Sequence, residues 1–132
     1  MNITGSCSLF VLVLTMGLMV TGCGNSQSPQ GKIDSLAKQM QSQLPKKLDS
    51  NTKLVKVYTK KMELVSEYEL LLKPTNEKED AVLAKKLGAY LHSTVCTNIK
   101  NDLLNRGISS QYIYTNTQGK VILDIVLAPG DC

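Results

Sequence analysis

The apolar positions of the chain fall into one unbroken run followed by a series of periodic stripes. The run is Leu9–Val20, LFVLVLTMGLMV. It is too short to cross a bilayer, which takes about 20 residues, but long enough for the core of an export signal. After the polar stretch Gly24–Gly31, the positions Ile33, Leu36, Ala37, Met40 and Leu44 recur at helical spacing with Lys38, Gln41 and Gln43 between them. That spacing predicts an amphipathic helix stopped by Pro45. Leu54–Thr59 reads as a strand and Met62–Lys73 as another, with Lys60 and Lys61 turning between them. The second alternates, Leu64, Ser66, Tyr68, Leu70 and Leu72 on one side and Glu63, Glu67 and Glu69 on the other, which predicts one wet face. The acidic end of PTNEKED, Pro74–Asp80, suits the positive end of a helix. A helical stripe follows at Leu83, Leu87, Tyr90, Leu91 and Val95, resumed by Ile99 and Leu103, as one helix or as two with a restart at Ser93 or Thr94. Gly107 suits a left-handed cap. Strands are predicted near Ile108–Thr115 and Lys120–Leu127, joined by a turn at Asn116–Gly119.

An order of helix, two strands, helix, two strands favours the α+β class. The expected fold is a small antiparallel sheet of about four strands, covered on one face by helices, in a single domain over residues 32–132. Val121, Leu123, Ile125 and Leu127 are expected to face the helices. On the far side Ile122 and Val126 flank Asp124. With Val55 and Val57 they form an apolar strip, and exposed apolar strips often mark partner surfaces. Cover by another strand or by the first helix explains the same residues without a partner. Sheet edges offer a second route to binding, because a partner segment can add as a strand.

Directly after the apolar run stands Val20-Thr21-Gly22-Cys23, which resembles the lipobox of bacterial lipoproteins. The small residues let a peptidase reach the bond before Cys23, whose thiol accepts a diacylglyceryl group at the bilayer surface. The resemblance implies a signal peptide over residues 1–22, fatty acids on Cys23 and a flexible tether over residues 23–31. Two or more acyl chains hold a protein stably at a membrane, at about 0.8 kcal/mol per buried methylene. Gly24 rather than Asp after the cysteine resembles the sorting pattern for the outer membrane. One departure is that Met1–Cys7 holds no Lys or Arg.

Composition then narrows the chemistry. The 132 residues are 42% hydrophobic and 20% charged, with a net charge of +4. This is ordinary globular composition. The basic excess lies wholly after Gly22, yet its lysines are scattered among glutamates, so the charge reads as a solvated surface and no nucleic-acid partner is expected. Of four cysteines, the lipobox resemblance implies that Cys7 leaves with the signal and that Cys23 is acylated. Cys96 and Cys132 are then the pair left to form a disulfide in an oxidising compartment. Zinc wants four ligands, and a chain with one histidine and no Cys-x-x-Cys does not offer them, so no metal or other cofactor is expected. His92 has no identifiable nucleophile to serve. The row Glu63, Glu67, Glu69 follows from strand alternation alone. No phosphate-cradling loop and no Gly-x-Ser-x-Gly elbow occur. Catalytic residues are therefore not assigned, and a binding protein without a small-molecule substrate is expected.

The arrangement as a whole resembles the AspS-type pilotins of type II secretion systems. The residues that carry the resemblance are Leu36-Ala37-Lys38 and Leu44-Pro45 in the first helix, Cys96, Leu104 through Gly107-Ile108, Tyr112, Asn116-Thr117, Gly119 and Cys132. The Glu-rich strand and PTNEKED do not align. The resemblance implies an outer-membrane lipoprotein facing the periplasm that carries a secretin subunit and promotes assembly of its ring. An exclusion lipoprotein of a conjugative element would have the same size and anchor, and a periplasmic inhibitor of lysozyme-type enzymes would share the disulfide.

Overall fold

A computed structural model describes residues 28–132 apart from Pro74, so the expected signal peptide, Cys23 and tether residues 24–27 lie outside the described residues. The chain runs through α1 (Pro29–Gln41), β1 (Lys46–Lys47), β2 (Thr52–Thr59), β3 (Glu63–Leu70), α2 (Glu77–Thr94), β4 (Ser109–Asn116) and β5 (Val121–Leu127). A π turn at Val95–Ile99 and a 3-10 turn at Leu104–Arg106 lie between α2 and β4. The class is α+β, as expected, with two differences in the sheet. It has five strands, in the order β1-β2-β3-β4-β5, because the two-residue β1 adds to the edge of β2. It is also mixed rather than antiparallel. β3 and β4 run parallel, since α2 carries the chain back along the sheet before β4 begins. The other pairings are antiparallel.

α1 begins earlier than its apolar stripe implies. The Ser28 side chain accepts a bond from the Gly31 N–H at 3.2 Å, and Pro29 fills the first helical position, where its missing N–H costs nothing. Residues 29–31, expected in the tether, therefore belong to the helix. At α2 the Asn76 side chain accepts from the N–H groups of Lys78 and Glu79, while Glu79 reaches back to the Asn76 N–H. Such a capping box fixes where the helix starts. There is no restart at Ser93 or Thr94. The helix passes directly into the π turn, and Gly107, at φ 79°, closes the following 3-10 turn in the left-handed conformation.

Both helices lie on one face of the sheet and divide the core between them. Ile33 and Ala37 of α1 pack with Leu54, Val57 and Leu64, closed from the far side by Leu103 and Ile108. Leu91, near the end of α2, and Val95, which opens the π turn, pack with Leu70, Leu104, Tyr112, Tyr114 and Leu127. Tyr68 and Ile99 touch both clusters. Tyr68 stacks on Tyr114, with ring centroids 4.6 Å apart and planes within 9°. Burial pushes the Tyr68 hydroxyl up to about 12 and raises Tyr114 as well, so both rings stay neutral.

Among the described residues the opposite face carries no helix, yet it is not the plain wet face expected of β3. Val65 lies on it and is fully buried, with Tyr58 and Gln111 across from it in the register. Lys53 and Lys56 of β2 reach Glu69 and Glu67 at 3.9 and 3.8 Å. Such exposed pairs contribute little energy, and here they cover a sheet surface.

Candidate binding surface

The disulfide between Cys96 and Cys132 is present, with Cα atoms 5.4 Å apart. A turn brings its C-terminal partner into place. The Asp131 carboxylate accepts from the Ala128 N–H at 2.6 Å, Gly130 takes φ 95°, and Cys132 meets the π turn. His92 is exposed on the last turn of α2, with Nε2 2.9 Å from the Asp131 carbonyl oxygen and the ring 3.9 Å from Cys96 Sγ. This arrangement positions the C-terminus.

The four residues expected to form an apolar strip are not brought together. Val57 is 2% exposed and belongs to the core beneath α1. Val55 sits at an irregularity in the β2–β3 pairing between Leu54 and Lys56, half-buried. A second irregularity, opposite Tyr114 and Thr115, inverts the start of β5. Ile122 turns in to pack against the α2 cluster, and Val121, expected inside, is 54% exposed. One extra residue on one strand of a pair is enough to swap the faces of its neighbours. Only Val126, 44% exposed, stands on the open face as predicted.

The more developed concavity lies elsewhere, between α1 and the edge of β2. It is a groove of about 660 Å³ lined by Asp34, Ala37, Lys38, Gln41, Ser42, Val57, Tyr58 and Thr59. Its floor is a strand edge. β1 pairs only with Leu54 and Lys53, so among the described residues the rest of β2 has no strand on that side. Side chains of α1 take the place of one: the Val57 N–H donates to Gln41 Oε1 at 2.9 Å, and the Thr59 hydroxyl donates to Asp34. Gln30 also donates to Asp34, at 2.9 Å. These two bonds, Thr59 first, hold the Asp34 carboxyl below its ordinary range, and Lys38 adds to the effect. Sequence reasoning missed this site. Its signal was a polar row at i, i+4 and i+7, Asp34, Lys38 and Gln41, running beside the apolar stripe of the same helix.

At the far end of the sheet Asp80 plays a similar role for α2. Lys120 Nζ lies 2.8 Å from its Oδ2, and the Thr75 hydroxyl donates to Oδ1. Both bonds lower its pKa, Lys120 most. The pair pins the start of α2 to the β4–β5 turn, whose Asn116 carboxamide accepts from the N–H groups of Gln118 and Lys120 and whose Gly119 has φ 80°. No group of three or more His, Cys, Asp or Glu that could hold a metal occurs among the described residues, and no helix among them is long and apolar enough to cross a membrane.

Comparison with known proteins gives likeness of fold. No family model matches the sequence and no curated protein matches it. Among solved structures, the chain is similar to a protein of Pseudomonas aeruginosa described as secreted, with a TM-score of 0.67 and 15% identity over 79% of this chain and 92% of that one. It is similar to EpsS, the pilotin of the Vibrio vulnificus type 2 secretion system, with a TM-score of 0.62 and 12% identity over 79% of this chain and 91% of that one. It is also similar to AspS, the type II secretion system pilotin of Vibrio cholerae, with a TM-score of 0.56 and 18% identity over 79% and 95%. The resemblance noted in the sequence thus extends to the fold of the described residues.

Proposed function

We propose that this protein is a lipid-anchored binding module that works as a pilotin. In this reading residues 1–22 are removed, Cys23 is acylated, and a short tether holds the folded unit at the outer membrane, facing the periplasm. Its partner is a secretin subunit, which it carries to that membrane and helps assemble. It performs no catalysis. The observation that carries the reading is a fold shared with two type II secretion pilotins over 79% of the chain, each matched over more than nine-tenths of its own length. The lipobox spacing at Val20–Cys23 supports it from the sequence side. A tether also suits the task, because confining both partners to one surface raises their effective concentration without any new contact.

The test is made in the host. Deleting the gene should deplete heat-resistant secretin multimers from the outer-membrane fraction, and the intact gene should restore them where a Cys23→Ala version does not. Mass spectrometry should find the N-terminal peptide beginning at an acylated Cys23. Unchanged secretin multimers, with no secretin recovered by crosslinking, would sink the escort role. An unmodified Cys23 would sink the anchor.

A further inference from the structure

We propose that the open edge of β2, from Val55 to Thr59, receives an extended acidic segment of a protein partner as an added strand, lodged in the groove against α1. This rests on the reading of the protein as a binding module and says how the module binds. Three observations meet at this edge. The first is the backbone. β1 ends the pairing at Lys53 and Leu54, and beyond it the Val57 N–H points away from the sheet, where among the described residues the exposed Gln41 side chain accepts it. Residues alternate along a strand, so the Thr59 N–H faces the same way, while Lys60 donates inward to the Glu63 carbonyl at 2.9 Å. A carboxamide on a helix surface is readily swung aside, and a partner carbonyl can replace it at Val57.

The second observation is space. The groove of about 660 Å³ runs along this stretch of edge, with Ala37 and Val57 as its apolar floor and Tyr58, 37% exposed, at its rim. A strand laid there would gain main-chain bonds from β2 and place alternate side chains against α1. A helical segment would find little apolar surface and could not use the edge N–H groups.

The third is charge. Lys38 on α1, Lys46 and Lys47 on β1, and Lys60 and Lys61 at the β2–β3 turn are all exposed around the edge. Asp34 is the acidic group lining the groove, and it is already engaged by Thr59 and Gln30. Lysines at an edge discourage indiscriminate strand pairing. They also repel a second copy of the same edge while admitting an acidic segment, so one feature excludes the wrong partner and selects the right one.

The experiment uses the full chain as its host makes it, in detergent, with an acetylated octapeptide of alternating glutamate and valine as probe. Binding read by fluorescence anisotropy should be accompanied by slowed amide exchange in fragments covering residues 55–60. The same peptide methylated at alternate backbone nitrogens, and a lysine–valine counterpart, should bind at least tenfold more weakly. The surface double variant Lys38→Glu, Lys60→Glu should lose the acidic peptide at least tenfold while keeping the fold by circular dichroism. Equal binding of the methylated peptide, protection confined to other segments, or edge protection arising from dimers seen in sedimentation would each overturn the proposal. If host crosslinking captures a secretin while this edge stays unprotected, the strand-addition inference alone falls. If the edge takes the acidic peptide and no secretin is recovered, the escort reading alone falls.

Discussion

The two ends of the sheet are built on opposite plans. At the β5 end, α2 is held by a capping box, by the Asp80–Lys120 pair and by a disulfide that ties the C-terminus to the π turn after it. Three tyrosines fill the core beneath it, with Tyr68 stacked on Tyr114. At the β2 end, α1 lies against a strand whose edge is closed by a two-residue partner for only part of its length and by side chains for the rest. The helices themselves bury equally little, Ile33 and Ala37 in α1 and Asp80 and Leu91 in α2, so the difference lies in the ties around them. The contrast teaches two ways of closing a sheet: a disulfide and aromatic packing at one end, and helix side chains in the place of a neighbouring strand at the other.

The largest test of this contrast is removal of the disulfide. Closing a loop with a sequence separation of 36 stabilises by about 4 kcal/mol in the chain-entropy model. Cys96→Ser with Cys132→Ser should lose roughly that amount in urea denaturation, and a loss below about 1 kcal/mol would mean that the β5 end is no firmer than the other. Next, Leu104→Ala, at a residue 2% exposed in the α2 cluster, should cost about 3 kcal/mol by the same measurement. Gln41→Ala should cost less than about 1 kcal/mol, since water can take over its bond to an edge N–H, yet it should speed amide exchange at Val57. Equal losses for Leu104→Ala and Gln41→Ala would erase the comparison.

Acid separates the ends in a different way. Asp80 and Asp34 have folded-state pKa values below the ordinary carboxylate range, owing chiefly to Lys120 and to Thr59 respectively. A depressed folded value means that each contributes its full stabilisation above the unfolded carboxylate pKa of about 3.9 and loses it as pH falls through the folded value. The urea midpoint should therefore drop between pH 5 and pH 2. Asp80→Asn should flatten part of that drop, and Asp34→Asn a further part. A variant curve parallel to the parent's would remove the corresponding tie. The smallest effect is expected at Lys61, which holds φ 55° in the β2–β3 turn, a left-handed conformation that costs a side-chain-bearing residue roughly 1 kcal/mol. Lys61→Gly should raise the urea midpoint slightly, and a fall would show that the lysine side chain contributes more than the backbone loses.

Much of this was legible along the chain. The stripe from Ile33 to Met40, the alternation of β3, the turn at Asn116–Gly119 and the cap at Gly107 are all encoded within a few residues of where they act, although α1 ends at Gln41, before the expected stop at Pro45. Each is a matter of local backbone preference or of one side chain's face. The disulfide was expected by elimination, once the lipobox resemblance set Cys7 and Cys23 aside. The groove was half legible, as a polar row on α1 with no visible counterpart.

Its counterpart is the edge of β2, and an edge exists only once the strand order is known. The amino-acid sequence by itself determined the long helices and strands, the β2–β3 and β4–β5 hairpins and the cap at Gly107, because those depend on contacts between near neighbours. Tertiary structure alone decided that β3 and β4 lie side by side in parallel, and that β1 stops at Leu54. It also decided that an extra residue near Ile122 turns Val121 outward. Those outcomes depend on which distant surfaces bury the most apolar area together, a sum over the whole core that no local window contains.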